Sequence, residues 1–328
     1  MKFLQKVLQT SLMLLPAVLF SACETVVEMP IPEHEPKLAI RYMLGTVTPD
    51  SLEYAHFPQY QAYVNHSQSL FATEPLEGIN NATLVVTNAE DKVVETFKQD
   101  LASNVGVQGN GYYQPVSNFT ATPGQKYTLT VSAPGFETVT SSLTMPDLVS
   151  GLQGNFTKLE EIYGGPFGKE VIGNVNLTLP DNGSQNNYYL IYGVLLDNKG
   201  KANARDYFRP IEEDDASGIG ADFKDIQFSQ VGYTDSEPFD DKAFNGTTLN
   251  VSRRVSLLIG EVTKPPKYLR IYLHSITQDS HRFLKSLNAY YDTNGNPFAE
   301  STRVIGNIEN GYGYFGGYTS TYIDIELP

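Results

Sequence analysis

The sequence Lys126-Tyr-Thr-Leu-Thr-Val-Ser132 alternates strictly between apolar and polar residues after its first lysine. Successive side chains of a β-strand point to opposite faces, so the apolar residues of this run share one face and the hydroxyl residues share the other. Pro123-Gly124 precedes the run and Pro134-Gly135 follows it, and both pairs are typical of turns. The stretch therefore predicts a half-buried β-strand bounded by turns.

The surrounding sequence repeats this signature. Short runs rich in apolar and β-branched residues occupy positions 37–44, 83–87, 92–97 and 136–144. Several short strands at this spacing, separated by turn residues, indicate a β-sandwich. We therefore predict an Ig-like β-sandwich domain over residues 37–147. The run 124–144 is similar to the Ig-like peptidase-associated modules of outer-membrane proteins.

The second half of the chain predicts further strands and one helix. The strand candidates lie at 170–179, 187–196, 254–262, 267–277 and 322–327. An apolar stripe at helical spacing predicts an amphipathic helix at about 280–291, and it consists of Phe283, Leu284, Leu287, Tyr290 and Tyr291. Asp279 or Ser280 is the expected cap of this helix. These patterns predict a β-rich domain over 148–328, in which the long acidic segment 197–246 is a functional or mobile loop.

The N-terminus has the three-part order of a secretory signal. Lys2 and Lys6 precede a mostly apolar segment at 7–20, and the only cysteine of the 328 residues follows at Cys23. This arrangement predicts a signal peptide over 1–22 and a bacterial lipobox, in which Cys23 is lipidated and becomes the first mature residue. An ordinary signal peptide with an incidental cysteine is the alternative. The proline- and glutamate-rich segment that follows predicts a lipidated tether over 23–36.

Charge and cysteine content exclude several classes of function. The chain carries a formal net charge of −14 and has no basic run, so we expect no nucleic-acid partner. Anionic lipid headgroups would also be repelled, and membrane attachment must come from acyl chains at Cys23. Once this cysteine is modified, no thiol remains for a disulfide, a zinc cluster or a nucleophile.

The sequence lacks the common catalytic motifs. It contains no HExxH pair, no Gly-x-Ser-x-Gly elbow, no P-loop and no strand-linked dinucleotide motif. Adjacent carboxylates occur at 212–215 and at 240–241, but a glycosidase would need two carboxyls that face each other across a cleft. We therefore expect a protein that is not an enzyme, and a hydrolase is the less favoured alternative.

One segment offers the ligands of a calcium site. Asp292, Asn294 and Asn296 supply oxygen atoms at alternate positions, as hard cations prefer. Pro297 and Arg303 stand where an EF-hand loop has its glycine and its final glutamate. A polar turn after the helix explains the same residues, and both interpretations stay open. No other cofactor is expected. Eight Asn-x-Ser/Thr sequences also occur, and we interpret them as chance matches in a bacterial lipoprotein.

Four segments in a fixed order carry a resemblance to a known family. They are the lipobox, Phe239-Asp-Asp-Lys-Ala-Phe-Asn-Gly246, Asn296-Pro-Phe298 and Asn307-Ile-Glu-Asn-Gly-Tyr-Gly-Tyr-Phe-Gly-Gly317. With the aromatic helix before Asn-Pro-Phe, the chain resembles a lipoprotein family of the Bacteroidota catalogued as a domain of unknown function. Members are commonly encoded beside TonB-dependent outer-membrane transporters. The family often has a proline a few residues after Asn-Pro-Phe, whereas Ser301 stands here, so the family's turn at this point is not carried over to this sequence.

The resemblance implies an accessory role and no catalytic residue. We expect an outer-membrane lipoprotein that serves as a non-enzymatic accessory or ligand-binding subunit of a TonB-dependent transporter. A structural or adhesive envelope lipoprotein is the alternative. The sequence does not distinguish anchoring on the periplasmic face of the outer membrane from anchoring on the cell-surface face. The expected contact surface combines the 197–246 region with the aromatic tail, and its residues are Asp240, Asp241, Tyr312, Tyr314 and Phe315. The glycine-rich tail also has a purely structural explanation, in which a tight loop holds these aromatics in a core.

Overall fold

The computed structural model describes most of the chain after the predicted tether. The described residues are 33–47, 61–69, 72, 74–100, 111–164, 168–203, 206–211, 229–230, 237–260, 264–293 and 302–328. The described residues from 36 onward belong to one compact unit. The predicted signal peptide and Cys23 lie outside the described residues.

The described part of the chain is mainly β and contains one helix, which confirms the predicted fold class. The strands are β1 (Leu38–Gly45), β2 (Ala62–His66), β3 (Thr83–Asn88), β4 (Val93–Gln99), β5 (Tyr112–Pro115), β6 (Lys126–Ser132), β7 (Val139–Thr144), β8 (Gln153–Tyr163), β9 (Lys169–Pro180), β10 (Tyr188–Leu196), β11 (Tyr207–Pro210), β12 (Ser229–Gln230), β13 (Phe239–Asp240), β14 (Thr248–Ile259), β15 (Tyr268–Ile276) and β16 (Tyr312–Glu326). The helix is α1 (Gln278–Thr293). The alternating run at 126–132 coincides with β6 and has the expected burial pattern, because its apolar residues are buried and its polar residues are not.

The strands form one long sheet and one short sheet. The long sheet has the order β12-β10-β15-β16-β1-β2-β5-β4-β3-β6-β7, and β13 pairs with β10 beside this path. The short sheet has the order β11-β14-β9-β8. The first and last strands, β1 and β16, pair in parallel from Ala39 opposite Tyr312 to Gly45 opposite Tyr318. This ladder crosses the predicted domain boundary near residue 147, and the division of the chain at that point stays a prediction.

The first hydrophobic core lies inside the N-terminal half of the long sheet. Side chains of β1, β2, β5 and β16 pack there against side chains of β3, β6 and β7. Tyr42 contacts Phe97 edge-on, with the ring centroids 5.0 Å apart, and lies parallel to Phe315 with the centroids 6.0 Å apart. Burial of such rings is the largest apolar contribution a core of this kind receives. The packing is that of a β-sandwich in which both layers are parts of the same long sheet.

The second hydrophobic core lies between the two sheets. Strands β9, β11 and β14 of the short sheet pack against one face of β10, β15 and β16 of the long sheet. The opposite face of β10, β15 and β16 carries a third cluster, which α1 covers. Strands β10 and β15 are therefore buried on both faces, and this explains their nearly continuous apolar sequences.

Helix α1 packs on the long sheet through Phe283, Leu284 and Leu287, but not through the last two residues of the predicted stripe. Phe283 is buried and its ring lies parallel to Tyr314 at a centroid distance of 4.2 Å. Tyr290 and Tyr291 are 39% and 59% exposed, so the predicted apolar stripe is correct at its beginning and wrong at its end. The cap is Thr277, whose Oγ1 accepts a hydrogen bond from the backbone N–H of Ser280 at 3.3 Å. The predicted caps Asp279 and Ser280 instead lie within the helix.

The glycine-rich tail is a turn at 309–311 followed by a strand, because β16 begins at Tyr312, so the expected tight loop covers only its first part. Gly313 has φ +93°, and a Cβ atom there would lie 1.9 Å from the carbonyl oxygen of Ile40. A Cβ atom on Gly316 would lie 2.4 Å from both Ser280 Oγ and the Tyr314 ring. The glycines therefore let β1 and α1 approach the final strand closely, and they do not interrupt it.

Candidate functional site

The Phe239–Gly246 motif forms β13 and the turn that leads into β14. Its two phenylalanines are buried in the core between the sheets. The Tyr189 ring contacts both of them, with centroid distances of 5.4 Å to Phe239 and 6.4 Å to Phe244. These contacts fix the turn against the beginning of β10, so the motif is first a structural anchor.

Two aspartates connect this turn to the turn between β9 and β10. Asp241 Oδ2 accepts a 2.8 Å hydrogen bond from the backbone N–H of Asn187. In return, Asp181 Oδ2 accepts a 2.8 Å hydrogen bond from the backbone N–H of Gly246. Each turn thus supplies one carboxylate to a backbone donor of the other turn. We call Asp181, Asn187, Tyr189, Asp241 and Gly246 the aspartate clasp.

Side chains of the clasp add further hydrogen bonds to Asp181. The Tyr189 hydroxyl donates to Asp181 Oδ1 at 2.6 Å, and the Asn187 Nδ2 amide donates to the same oxygen at 3.1 Å. Burial raises the pKa of Tyr189, and its hydrogen bond to Asp181 acts in the same direction. The hydroxyl therefore stays protonated and donates throughout the physiological pH range.

Asp241 occupies an unusual electrostatic position in the clasp. Its side chain is 0% exposed, and its Oδ1 atom has no hydrogen-bond partner within the described structure. Burial raises the pKa of the Asp241 carboxyl above its ordinary value, and the charges of Asp181 and Asp240 act in the same direction. No surface is left at Asp241 for a partner to contact, because packing on β10 buries the whole side chain.

Asp240 faces a different environment from its neighbour. Its carboxylate accepts a 2.6 Å hydrogen bond from Lys242 Nζ, and the Asp240 side chain is 21% exposed. Burial opposes its ionisation, yet the hydrogen bonds from Lys242 outweigh burial and hold the pKa of Asp240 below its ordinary value. Of the two adjacent acids, only Asp240 remains accessible to a partner.

A buried histidine lies next to this ion pair. The His281 ring is tilted against Tyr188 at a centroid distance of 4.8 Å, and its Nε2 atom has no hydrogen-bond partner among the described residues. Burial lowers the pKa of His281 to about 4, and the charge of Lys285 acts in the same direction. His281 is therefore neutral at physiological pH and acts as a packing residue between α1 and β10.

The three predicted aromatic contact residues of β16 have different environments. Phe315 is fully buried in the N-terminal core, and Tyr314 is buried in the cluster beneath α1. These adjacent residues fill two separate cores because successive side chains of a strand point to opposite faces. Tyr312 is 52% exposed. As predicted contact residues, Tyr314 and Phe315 are corrected to core residues, and Tyr312 alone keeps an accessible surface.

The predicted calcium ligands do not form a described site. Asp292 lies in the last turn of α1, whereas Asn294 and Asn296 lie outside the described residues. Among the residues with described positions, no group of three or more His, Cys, Asp or Glu side chains is arranged to hold a metal ion. The calcium site at the end of the helix stays a prediction.

Asp181, Asn187 and Tyr189 are site residues that no sequence pattern predicted. Asp181 begins the sequence Asp-Asn-Gly-Ser directly after Pro180, which is a strong turn signal. That signal locates a turn but does not reveal which backbone donor its aspartate meets. The partner in the clasp, Gly246, is 65 residues away in sequence.

Fold and site together define a mainly β protein with two sandwich-like cores built on one long sheet, and with a carboxylate clasp between two of its turns. Within the part of the chain with described coordinates, no helix combines the length and apolar character needed to span a membrane. A family model described as Domain of unknown function (DUF4249) matches residues 56–323, and the chain belongs to that family. No curated protein matches the chain.

Proposed function

We propose that this member of the DUF4249 family is an outer-membrane lipoprotein that acts as a non-enzymatic accessory or ligand-binding subunit of a TonB-dependent transporter. The observation that carries the proposal is Cys23, the only cysteine of the chain, which follows a positively charged and then apolar leader. An acylated cysteine followed by an extended acidic tether suits a protein held near a membrane partner.

The transporter partner rests on the resemblance to Bacteroidota lipoproteins that are encoded beside TonB-dependent transporters. The acidic residues that suggested a hydrolase have structural roles where they are described. Asp241 binds a backbone donor of a neighbouring turn, and Asp240 is paired with Lys242. These contacts favour the accessory role over hydrolysis, which would need carboxylates that converge on a cleft.

The contact surface proposed for the transporter centres on Tyr312 and Asp240. Exposed tyrosines are enriched at protein interfaces because a large ring becomes buried with little loss of side-chain entropy. Tyr312 stands at the beginning of β16, next to the first residues of β1. Because β1 follows the tether, this end of the strand pair is the part of the described fold nearest in sequence to the lipid anchor.

Co-purification from native membranes tests this function. The tagged, acylated protein should recover a large TonB-dependent barrel in stoichiometric amount. Tyr312→Ala should reduce that recovery, whereas Tyr322→Ala should not, since Tyr322 lies on the same strand and is 53% exposed against 52% for Tyr312. Recovery of no barrel, together with loss of cell aggregation in a deletion strain, would favour the structural or adhesive alternative.

A Cys23→Ser variant separates anchoring from partner binding. It should lose acylation and should no longer sediment with membranes, because the acyl chains are the proposed anchor. Membrane partitioning equal to that of the wild type would contradict the lipobox interpretation. Barrel recovery by wild type but not by Cys23→Ser would show that the anchor is needed to bring the two proteins together.

A further inference from the structure

The aspartate clasp holds two carboxylates without a cationic partner. Asp181 accepts hydrogen bonds from Asn187, Tyr189 and Gly246, which are all neutral donors. Asp241 accepts one hydrogen bond, from the backbone of Asn187. Neither aspartate forms an ion pair with a Lys, Arg or His of the described structure, and the nearby Lys242 is bound to Asp240. No cation among the described residues therefore compensates the negative charge of the clasp.

One oxygen of the clasp is both buried and unpartnered. Asp241 is 0% exposed, and its Oδ1 atom has no hydrogen-bond partner within the described structure. A buried carboxylate oxygen without a partner is strongly destabilising, and a second carboxylate close by increases the cost. Asn187 contacts both aspartates, through its backbone N–H to Asp241 and through its amide to Asp181, so one residue holds both carboxylates in the clasp.

A hard cation fits this arrangement better than other ligands do. Calcium binds carboxylate, amide and backbone carbonyl oxygens in flexible geometry, whereas magnesium requires a near-ideal octahedron. We infer that the clasp binds a divalent cation of the calcium class between Asp181 and Asp241, and that this cation joins the turn before β10 to the turn before β14. The inference does not depend on the proposed transport role.

The chemistry of the clasp differs from that of a site with three acidic ligands. Two carboxylates would supply the charge, and neutral oxygens of the two turns would complete the coordination. This donor set is compatible with the lack of larger clusters of His, Cys, Asp and Glu in the described residues. It is also separate from the calcium site predicted at Asp292, which lies at the far end of α1.

Terbium luminescence and thermal unfolding test the inference on the purified mature protein after EDTA treatment. Terbium replaces calcium at oxygen sites and is excited by energy transfer from a nearby tyrosine, and the Tyr189 hydroxyl lies 2.6 Å from Asp181 Oδ1. We expect saturable terbium emission that calcium displaces and magnesium does not. Calcium should also raise the unfolding temperature in a saturable manner, because a ligand that binds only the folded state stabilises it.

Three variants assign the signal to the clasp. Asp241→Asn should weaken terbium binding at least tenfold, since even the loss of an outer-shell partner costs a metal site about 10- to 100-fold in affinity. Asp240→Asn is the matched control and should bind calcium as the wild type does. Tyr189→Phe should lower terbium emission while leaving the calcium-dependent rise in unfolding temperature in place.

Two results would overturn the inference, and both are accessible even if Asp241→Asn does not fold. The first is a wild-type protein whose unfolding temperature and terbium emission do not respond to the metals; this would mean that Asp241 is neutralised by a proton instead. The second is a calcium response that Asp181→Asn leaves unchanged but Asp292→Asn removes, which would place the cation at the end of the helix.

Discussion

The two sandwich-like cores each contain a buried carboxylate, and the two carboxylates differ in the number of hydrogen bonds they accept. Glu95 of β4 is 2% exposed and accepts hydrogen bonds from four backbone N–H groups and one hydroxyl. Asp241 is 0% exposed and accepts one hydrogen bond from the backbone of Asn187. Burial alone opposes ionisation in both cases.

The difference shows that hydrogen-bond donors and neighbouring charges together decide whether the effect of burial on the pKa is overcome. Burial raises the pKa of Glu95, but its hydrogen bonds from Phe119, Ser117 and Thr96 outweigh burial and bring the pKa below the ordinary value. At Asp241, burial and the charges of two neighbouring carboxylates outweigh the hydrogen bond from Asn187, and the pKa is raised. The N-terminal core therefore uses an ionised carboxylate as a structural acceptor, whereas the clasp contains a buried carboxylate that accepts a single hydrogen bond from a neighbouring turn.

The largest effect is expected when Glu95 loses an oxygen. Glu95→Gln should lower the free energy of unfolding by about 3 kcal/mol at pH 7, because the amide cannot satisfy the same set of buried donors and is uncharged. Urea denaturation in EDTA, with unchanged m-value, measures this loss. Glu90→Gln, in the exposed turn before β4, is the control and should change stability by less than about 0.5 kcal/mol. A loss at Glu95 no larger than the control's would contradict the role assigned to it.

Two buried tyrosine hydroxyls, one in each core, allow the same comparison, and a smaller loss in the free energy of unfolding is expected when either is removed. The Tyr113 hydroxyl donates to the Ile79 carbonyl at 2.7 Å and accepts from the Ala82 N–H at 2.9 Å. Tyr113→Phe should lower the free energy of unfolding by about 2 kcal/mol, since it leaves two backbone groups without a partner. Tyr189→Phe should cost about 1 kcal/mol, because Asp181 keeps two other donors. Equal losses in parallel urea titrations would mean that both cores depend equally on their hydroxyl networks.

The smallest effect is a gain in stability at Asp241. In EDTA, Asp241→Asn should raise the free energy of unfolding at pH 7 by about 1 kcal/mol, because it removes an uncompensated buried charge. The folded-state pKa is above the ordinary 3.8, so the wild type binds the proton more tightly when folded. The advantage of the asparagine variant should therefore shrink as pH falls through the raised pKa, and it should vanish below about 3.8.

Glu95 should show the opposite dependence on pH. Its folded-state pKa is below the ordinary 4.5, so its stabilisation is complete above that value and is lost as pH falls through the folded-state pKa. The stability difference between wild type and Glu95→Gln should accordingly shrink in acid. Unfolding free energies of both variant pairs between pH 3 and pH 7, in EDTA, check the two slopes. Slopes of the same sign would refute the contrast between the two carboxylates.

Edge strands limited the prediction of the fold from sequence. Strand β8 was missed because it is the edge of the short sheet and is exposed along nearly its whole length, so it lacks apolar alternation. The short sheet also explains three of the Asn-x-Ser/Thr sequences. Those at 155–157, 176–178 and 250–252 lie on neighbouring strands, where Asn176 donates to Asn155 and accepts from Ser252. An asparagine and a hydroxyl residue two positions apart simply share the polar face of a strand.

The sequence by itself determined the mainly β class, the position of strand β6 and the start of the packed helix. It also carried the ordered motifs that indicated the family. Each of these depends on periodicity or turn residues within a few neighbouring positions, which act locally on the chain. Only the tertiary structure decided that Asp240 meets Lys242 at the surface while Asp241 is buried against Asn187. The reason is that the clasp is set by hydrogen bonds between turns, which join residues 54 and 65 positions apart. Local sequence carries no record of which donor such a carboxylate will meet.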